Sequence, residues 1–305
     1  MIDLTTQVGP LRLKNPVLVA SGTFGYAQES AELVDLAALG GIVTKSVTLK
    51  PRPGNPPSRI VELPAGMLNS IGLANVGVEA FVREKLPFLR GVGTTIIVNV
   101  AGGSAEEFEQ VLRRLEQESG IDAYELNFSC PNVKEGGLEF SQNADVTASV
   151  TARLRRLTAR PLIVKLTPNV TRVSEIARAA AENGADAVSL INTVVGMAVD
   201  VGTRRAKLST VTGGYSGPAI KPIALAKVYE VAQNVSVPII GIGGIMNTED
   251  ALEFMLTGAC AVQVGTANFI DPGTGPKIVE GLRAYGEQHG LHAIQAIVGT
   301  LQNTR

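Results

Sequence analysis

Leu162-Ile-Val-Lys165 is a short apolar run that ends abruptly on a lysine. The same design recurs in Gly41-Ile-Val-Thr-Lys45, Ile96-Ile-Val-Asn99, Tyr124-Glu-Leu-Asn127 and Val188-Ser-Leu-Ile-Asn192. Runs of this length, bounded by turn residues, read as parallel strands buried on both faces. Lysine is almost never buried without a partner. Two lysines and three amides gathered at one end of a sheet therefore call for a large, polar, partly anionic ligand.

Working outward from Lys165, the chain alternates strand-like and helix-like segments. Strands are expected near Val17–Ala20, Gly41–Ser46, Thr95–Val100, Ala123–Phe128, Leu162–Leu166, Ala187–Ile191, Pro238–Gly241 and Ala261–Gly265. Helical spacing is clearest over Ser104–Ser119 and Val173–Asn183, the latter stopped by Gly184. Eight strands joined by crossover helices predict an α/β fold, a (β/α)8 TIM barrel. A hairpin over Leu4–Lys14, turning at Gly9-Pro10, precedes it. Successive strand starts lie fewer than 40 residues apart except after the second and sixth, where the gap exceeds 50. Both insertions follow a strand's C-terminal end and are rich in Gly, Pro, Asn and Ser, which reads as long functional loops over the catalytic face. No linker or repeat divides the chain, so residues 1–305 are expected to form one domain.

Bulk properties narrow the function classes. A hydrophobic content of 45% against 18% charged allows a sizeable core. The net charge of −1 gives no global field to attract nucleic acid or an anionic membrane, so any bound anion must be held by local groups. Two cysteines are too few for a disulfide framework or an iron–sulfur cluster. The N-terminus lacks a secretory signal and no apolar stretch is long enough to span a membrane, so a cytoplasmic protein is expected. His289 and His292, both assigned to the last helical segment, lack metal-ligand spacing, and no metal is expected.

The residues that carry chemistry each read two ways. Gly241-Ile-Gly-Gly244 and Gly265-Thr266 follow the seventh and eighth strands, where barrels bind phosphate on backbone N–H groups; alone, either pair is equally good as turn punctuation. Gly217, before the Pro218–Ala232 helical segment, offers a third such donor. Lys45 and Lys165 read as anion ligands or as lysines snorkelling at strand ends. Glu125 shares the facing of Asn127 and points inward as a deeper counterion or a structural group. Cys130, held out of helix by Pro131, is either a small buried hydrophobe or, with no histidine nearby, a proton acceptor. Cys260, at the opposite end of its strand, reads as packing.

Taken together, Ser21-Gly-Thr-Phe-Gly25, Lys45-Ser46, Asn69-Ser-Ile-Gly-Leu-Ala-Asn75, Asn127-Phe-Ser-Cys-Pro-Asn-Val-Lys134, Ile191-Asn-Thr193, Gly214-Tyr-Ser-Gly-Pro-Ala-Ile-Lys221, Gly241-Ile-Gly-Gly244 and Gly265-Thr266 resemble the dihydroorotate dehydrogenases. These are flavin-dependent barrels of pyrimidine synthesis. Cys130 in place of serine resembles the class 1 members, and Cys130-Pro-Asn-Val-Lys-Glu-Gly-Gly137 is most similar to the NAD-linked class 1B catalytic subunit. The fumarate-reducing class 1A dimer is the alternative within the family. Phe128 and Tyr215 stand where the family pattern has aliphatic residues, a minor departure.

The resemblance implies that flavin mononucleotide (FMN) contacts Ser21, Lys45, Ser46, Asn99, Asn127, Lys165, Ile191, Gly217, Gly243, Gly244, Gly265 and Thr266. It implies that the pyrimidine is held by Lys45, Asn69, Ser70, Ile71, Gly72, Leu73, Asn127, Asn192 and Thr193. Cys130 becomes the catalytic base that takes a proton from dihydroorotate while FMN takes the hydride, yielding orotate. The implied assembly is a homodimer core joined by a subunit carrying FAD and an iron–sulfur cluster, a heterotetramer. This chain has no dinucleotide-binding fingerprint of its own, so electrons must leave through a small oxidant or another subunit. Outside the family, a Schiff-base aldolase barrel with Lys165 as nucleophile is the competing reading.

Overall fold

A computed structural model of the chain describes residues 2–128, 134–135 and 138–302. Eight parallel strands close into a barrel: β1 Val17–Val19, β2 Gly41–Val43, β3 Thr95–Val100, β4 Ala123–Asn127, β5 Leu162–Lys165, β6 Ala187–Leu190, β7 Ile239–Ile242 and β8 Ala261–Val264. Each strand pairs with its neighbours in sequence, and β8 pairs with β1 to complete the ring. All eight expected strands are present, which bears out the (β/α)8 barrel.

Strand alternation divides the barrel into two apolar compartments. Leu18, Val43, Ile97, Ala123, Ile163, Ala187, Ile240 and Ala261 turn inward and pack with one another. Their neighbours Ile42, Ile96, Val98, Tyr124, Leu126, Val164, Val188 and Val262 turn outward against the helices. The expected hairpin is present as Thr6–Val8 and Leu11–Leu13. Its Val8, Leu11 and Leu13 join the inward set, so the hairpin stoppers the N-terminal end of the barrel. Thr6 Oγ1 donates to the Cys260 carbonyl at 2.9 Å and pins the stopper to the start of β8. With that end stoppered, the interior of the barrel opens toward its C-terminal end.

The helices form where their apolar spacing places them. Ala105–Leu115 starts at Ser104, whose side chain accepts from the Glu107 N–H, and buries Phe108, Val111, Leu112 and Leu115. It is shorter than the predicted Ser104–Ser119. Val173–Glu182 ends one residue before the sequence reading, with Gly184 just beyond. In the last helix, Thr274–Gln288, His289 is the C-cap, and His292 lies past the helix rather than in it. Among the described residues no helix is long and apolar enough to cross a membrane.

The two long insertions differ from their reading as loops. Ile60–Leu63 and Gly66–Asn69 follow β2, while Val194–Met197 and Thr212–Ser216 follow β6. They join as one four-stranded antiparallel sheet, with Gly66–Asn69 against Thr212–Ser216 at its centre. This cover sheet has its own small core of Leu68, Ala198 and Leu208, with Val61, Leu63 and Tyr215 packed on it. Tyr215 Oη also donates to the Pro64 carbonyl at 2.8 Å, tying one insertion to the other.

Candidate active site

A cavity of about 450 Å³ opens at the C-terminal end of the barrel, beneath the cover sheet. Its floor is built by strand alternation: two residues above the inward apolar set come Lys45, Lys165 and Ile242, and above Glu125 comes Asn127. Lys165 is the last residue of β5, whereas Lys45 lies two residues past β2 and Asn192 two past β6. The polar residues thus end the strands less uniformly than their sequence suggests, yet both lysines and Asn127 and Asn192 line one cavity.

Beneath this floor lies a buried polar layer. Glu125, fully buried, accepts from Asn99 Nδ2 at 2.7 Å, from Ser189 Oγ at 2.8 Å and from Gln263 Nε2 at 2.7 Å. Lys165 Nζ stands 3.9 Å from Glu125 Oε1, and its side chain is only 7% exposed. That spacing suits an ion pair but is too long for a hydrogen bond. Ser46 Oγ donates to Asn99 Oδ1 at 2.6 Å and accepts from Asn127 Nδ2 at 3.3 Å, which links the layer to the cavity. Gln263 turns its nitrogen to Glu125 and leaves Oε1 buried without a hydrogen-bond partner among the described residues. Such an orphan acceptor costs about 1–3 kcal/mol, which the carboxylate's need for donors must offset.

Lys45 is half-buried at the other side of the floor, its backbone N–H bonded to the Gly25 carbonyl at 2.8 Å. Burial lowers its pKa from the ordinary lysine value, the Arg59 guanidinium lowers it further, and Glu29 opposes both. A lysine so placed gains from an anion that would favour its charged form.

One wall is a backbone cradle. Gly243 and Gly244 both have left-handed φ, +127° and +78°, and a Cβ at Gly244 would come within 2.8 Å of Lys221 Cβ. Gly265 has nothing nearer than 3.8 Å to such an atom, so the space on that side of it is open. Thr266 Oγ1 donates to Ser216 Oγ at 2.9 Å, closing the cradle against the end of the cover sheet. Backbone N–H groups presented this way suit a phosphate.

The roof is the cover sheet. Asn69 Nδ2 donates to the Gly214 carbonyl at 3.3 Å, and a Cβ at Gly214 would lie 2.0 Å from Thr193 Oγ1, so only glycine lets Thr193 sit against this strand. Ser70 Oγ is buried with no partner among the described residues, and Ser70 lines the cavity. Asn55 Nδ2 holds the Ser70 carbonyl at 2.9 Å. Asn169 bonds the Thr193 carbonyl through Nδ2 at 3.1 Å and the Val195 N–H through Oδ1 at 3.0 Å, anchoring the sheet to the barrel.

Of the residues expected at the site, Ser21, Lys45, Ser46, Asn127, Lys165, Ile191, Gly217, Gly243, Gly244, Gly265 and Thr266 line the cavity. So do Asn69, Ser70, Ile71, Gly72, Leu73, Asn192 and Thr193. Asn99 is not part of the lining but lies one layer beneath, bonded to Ser46 and Glu125. Cys130 falls outside the described residues. Cys260, by contrast, is buried against the Ile239 carbonyl at 3.4 Å, and burial pushes its thiol up to about 11, in keeping with a packing role. Ser189, Gln263, Asn55 and Asn169 escape the sequence reading. Ser189 and Gln263 were recoverable, because each stands two residues above an inward-facing alanine, Ala187 and Ala261.

Fold and site together define a (β/α)8 barrel of the enzyme class whose chemistry sits at the C-terminal face, with two lysines, two amides and a glycine cradle around one cavity, a lining that suits a polar, anionic ligand. Comparison with known proteins narrows the class. The family model for dihydroorotate dehydrogenase matches residues 3–285. The chain is 52% identical over 299 residues to the dihydroorotate dehydrogenase B (NAD(+)) catalytic subunit of Geotalea uraniireducens, covering 98% of each chain. To the protein of the same name from Bacteroides thetaiotaomicron it is 50% identical over 302 residues, covering 99% of this chain and 100% of that one. The crystal structure of an Eimeria tenella dihydroorotate dehydrogenase in complex with ferulenol superposes with a TM-score of 0.82. At 23% identity, covering 98% of this chain and 88% of that one, it shares the fold. The chain belongs to the dihydroorotate dehydrogenase family, whose members are flavin-dependent and oxidise dihydroorotate to orotate in pyrimidine synthesis.

Proposed function

We propose that this chain is a cytoplasmic, single-domain barrel over residues 1–305 that binds FMN and oxidises dihydroorotate to orotate. It acts as the catalytic subunit of an NAD-linked enzyme. The observation that carries the reading is the meeting of Lys45, Lys165, Asn127 and Asn192 with the Gly243–Gly244 and Gly265–Thr266 cradle around one cavity. The residues fit the cofactor: a phosphate has the cradle, and a polar ring system has the buried ammonium of Lys165 and the amide of Asn127. Ser21, Ser46, Ile191 and Gly217 complete the FMN contacts, with Asn99 supporting Ser46 from below.

When bound, the flavin supplies the hydride acceptor that no protein side chain provides. The chain's own residues do the rest. Lys45, Asn69 to Leu73, Asn127, Asn192 and Thr193 hold the pyrimidine, the amides matching its C=O and N–H edge because each offers a donor and an acceptor. Ser70 Oγ, buried without a partner among the described residues, is one group that a ligand would satisfy. Lys165, nearly buried at the cavity floor, would hold positive charge toward the group that takes up the electrons. Cys130, three residues past Asn127, takes the proton. A thiol of ordinary pKa, about 8.5, is only a few per cent thiolate at neutral pH, so the site must favour the thiolate or accept a slow step.

The electron route follows the relatives, which are named as catalytic subunits of an NAD(+)-dependent enzyme. On this reading a homodimer core joins a second subunit carrying FAD and an iron–sulfur cluster. One experiment tests the core of the proposal: the visible spectrum of the purified protein before and after anaerobic dihydroorotate. A yellow protein that bleaches supports it. A colourless protein that refuses added FMN overturns it. Poor NAD reduction by the isolated chain, restored by the second subunit, separates the NAD-linked assembly from a fumarate-reducing one.

A further inference from the structure

The carboxylate beneath the cavity imposes a direction on the hydrogen bonds above it. A carboxylate only accepts. Asn99, 2.7 Å away, must turn its amide nitrogen down to Glu125 Oε1 and therefore its oxygen up. Ser46 Oγ meets that oxygen at 2.6 Å and has a single proton to donate to it. With that proton committed, Ser46 Oγ can only accept from Asn127, and it meets Nδ2 at 3.3 Å. The Asn127 amide is thereby given a sense: nitrogen to Ser46, carbonyl oxygen on its other branch, in a side chain that lines the cavity.

We propose that Glu125 is a positioning residue for this site. Through Asn99 and Ser46 it sets which end of Asn127 meets a ligand, and it holds Lys165 Nζ 3.9 Å away beneath the same cavity. The inference rests on the flavin and pyrimidine reading and deepens it, because Asn127 is assigned the acceptor role toward a ring N–H. The remaining contacts keep the carboxylate in service of this direction. Ser189 and Gln263 both bond Oε2, leaving Oε1 to Asn99 and Lys165. Gln263 does so with its own oxygen buried and unpartnered among the described residues. Any buried carboxylate needs donors; what points to positioning is the oriented chain that leads from it through Asn99 and Ser46 to a cavity-lining amide.

The test uses flavin-loaded protein titrated with orotate, read from the flavin spectrum. In Glu125→Gln the new amide can donate to Asn99, so Asn99 is free to turn over and the direction is lost. The expected result is unchanged flavin content, orotate affinity lowered about tenfold, the worth of roughly one hydrogen bond, and a raised KM for dihydroorotate. The exchange Glu125→Gln with Gln263→Glu keeps one carboxylate within the same 2.7 Å pair. The carboxylate then at position 263 accepts the new amide's N–H, which leaves that amide's oxygen toward Asn99 and keeps the direction. Orotate affinity should therefore recover, and a folded, flavin-replete exchange variant as weak as Glu125→Gln overturns the proposal. Ser46→Ala cuts the chain at its middle, removes one hydroxyl and leaves Glu125 and Lys165 in place. It decides the matter if the Glu125 variants fail to fold. A similar loss of affinity supports the proposal, and wild-type affinity in a flavin-replete Ser46→Ala protein overturns it. A wild-type protein that takes up no flavin sinks the underlying reading instead.

Discussion

Lys221 Nζ donates to Asp250 Oδ1 at 2.6 Å, while Asp250 Oδ2 accepts from the Met246 N–H at 2.7 Å. One carboxylate therefore ties the helix that begins just after Gly217 to the loop that carries Gly243 and Gly244. Glu253 adds a second contact to Lys221 at 2.8 Å. The glycine cradle is thus braced from outside the cavity by residues that are not part of its lining.

Removing the brace by Asp250→Ala is expected to destabilise the fold by about 1–3 kcal/mol, the penalty for stranding partly buried partners, and to loosen FMN several-fold. Thermal unfolding and flavin release on dilution measure the two effects. Burial works against the charge on Lys221, but the hydrogen bonds to Asp250 and Glu253 outweigh it and raise its pKa above the ordinary lysine value. A raised value means the stabilisation is whole below the ordinary value of about 10.4. The gap between wild type and variant should hold through neutral pH and narrow only in stronger alkali.

Gly244→Ala tests the cradle itself. The substitution demands φ of +78° from an alanine and sets its Cβ 2.8 Å from both Lys221 Cβ and the Lys221 backbone nitrogen. Left-handed backbone costs a non-glycine residue about 1–3 kcal/mol, and the loop must shift besides. Purified variant should retain the barrel by circular dichroism and arrive largely without flavin.

Lys45 provides a pH signature. Its pKa is lowered by burial first and by Arg59 second. Between that lowered value and the ordinary one of about 10.4, the unfolded chain binds more protons than the folded one, so stability rises with pH across this window. An anionic pyrimidine favours charged Lys45, so its binding takes up a proton there. Orotate affinity should be flat near neutrality and fall on the alkaline side earlier than an ordinary lysine would allow. Lys45→Ala should lower affinity about 10- to 100-fold at neutral pH, the range of a charge-assisted hydrogen bond. It should also abolish the alkaline fall.

Cys130→Ala is expected to slow flavin reduction by dihydroorotate about 10²- to 10⁴-fold, the usual contribution of a positioned base, with flavin still bound. Stopped-flow spectroscopy checks it, and an unchanged rate removes Cys130 from the mechanism. In the wild type the same rate should rise with pH through a single ionisation; a flat profile would count against a thiol base.

The barrel and its floor were legible because they rest on alternation within single strands. Once Ile163 and Lys165 share a face, the positions of Asn127 and Glu125 follow from the same rule. The cover sheet was not legible. Its central strands Gly66–Asn69 and Thr212–Ser216 include three glycines, so local propensity argues against strand. Their stability comes from pairing across the fold and from the small core of Leu68, Ala198 and Leu208, neither of which is local. Asn99 shows a subtler limit. Alternation predicts that it points inward but not its height in the barrel: Asn99 lies level with Glu125, one layer below Asn127, and that layer separates lining a cavity from supporting what does.

The cover sheet has a consequence for biogenesis. Asn69 and Gly214 are ladder partners 145 residues apart. A chain emerging from the ribosome carries the first half of the roof long before the second exists, and closing so large a loop is slow. The cavity therefore gains its whole roof only after the chain beyond the sixth barrel strand has been made. A stalled or truncated product, even one that has collapsed, has no shelter in which to do the chemistry.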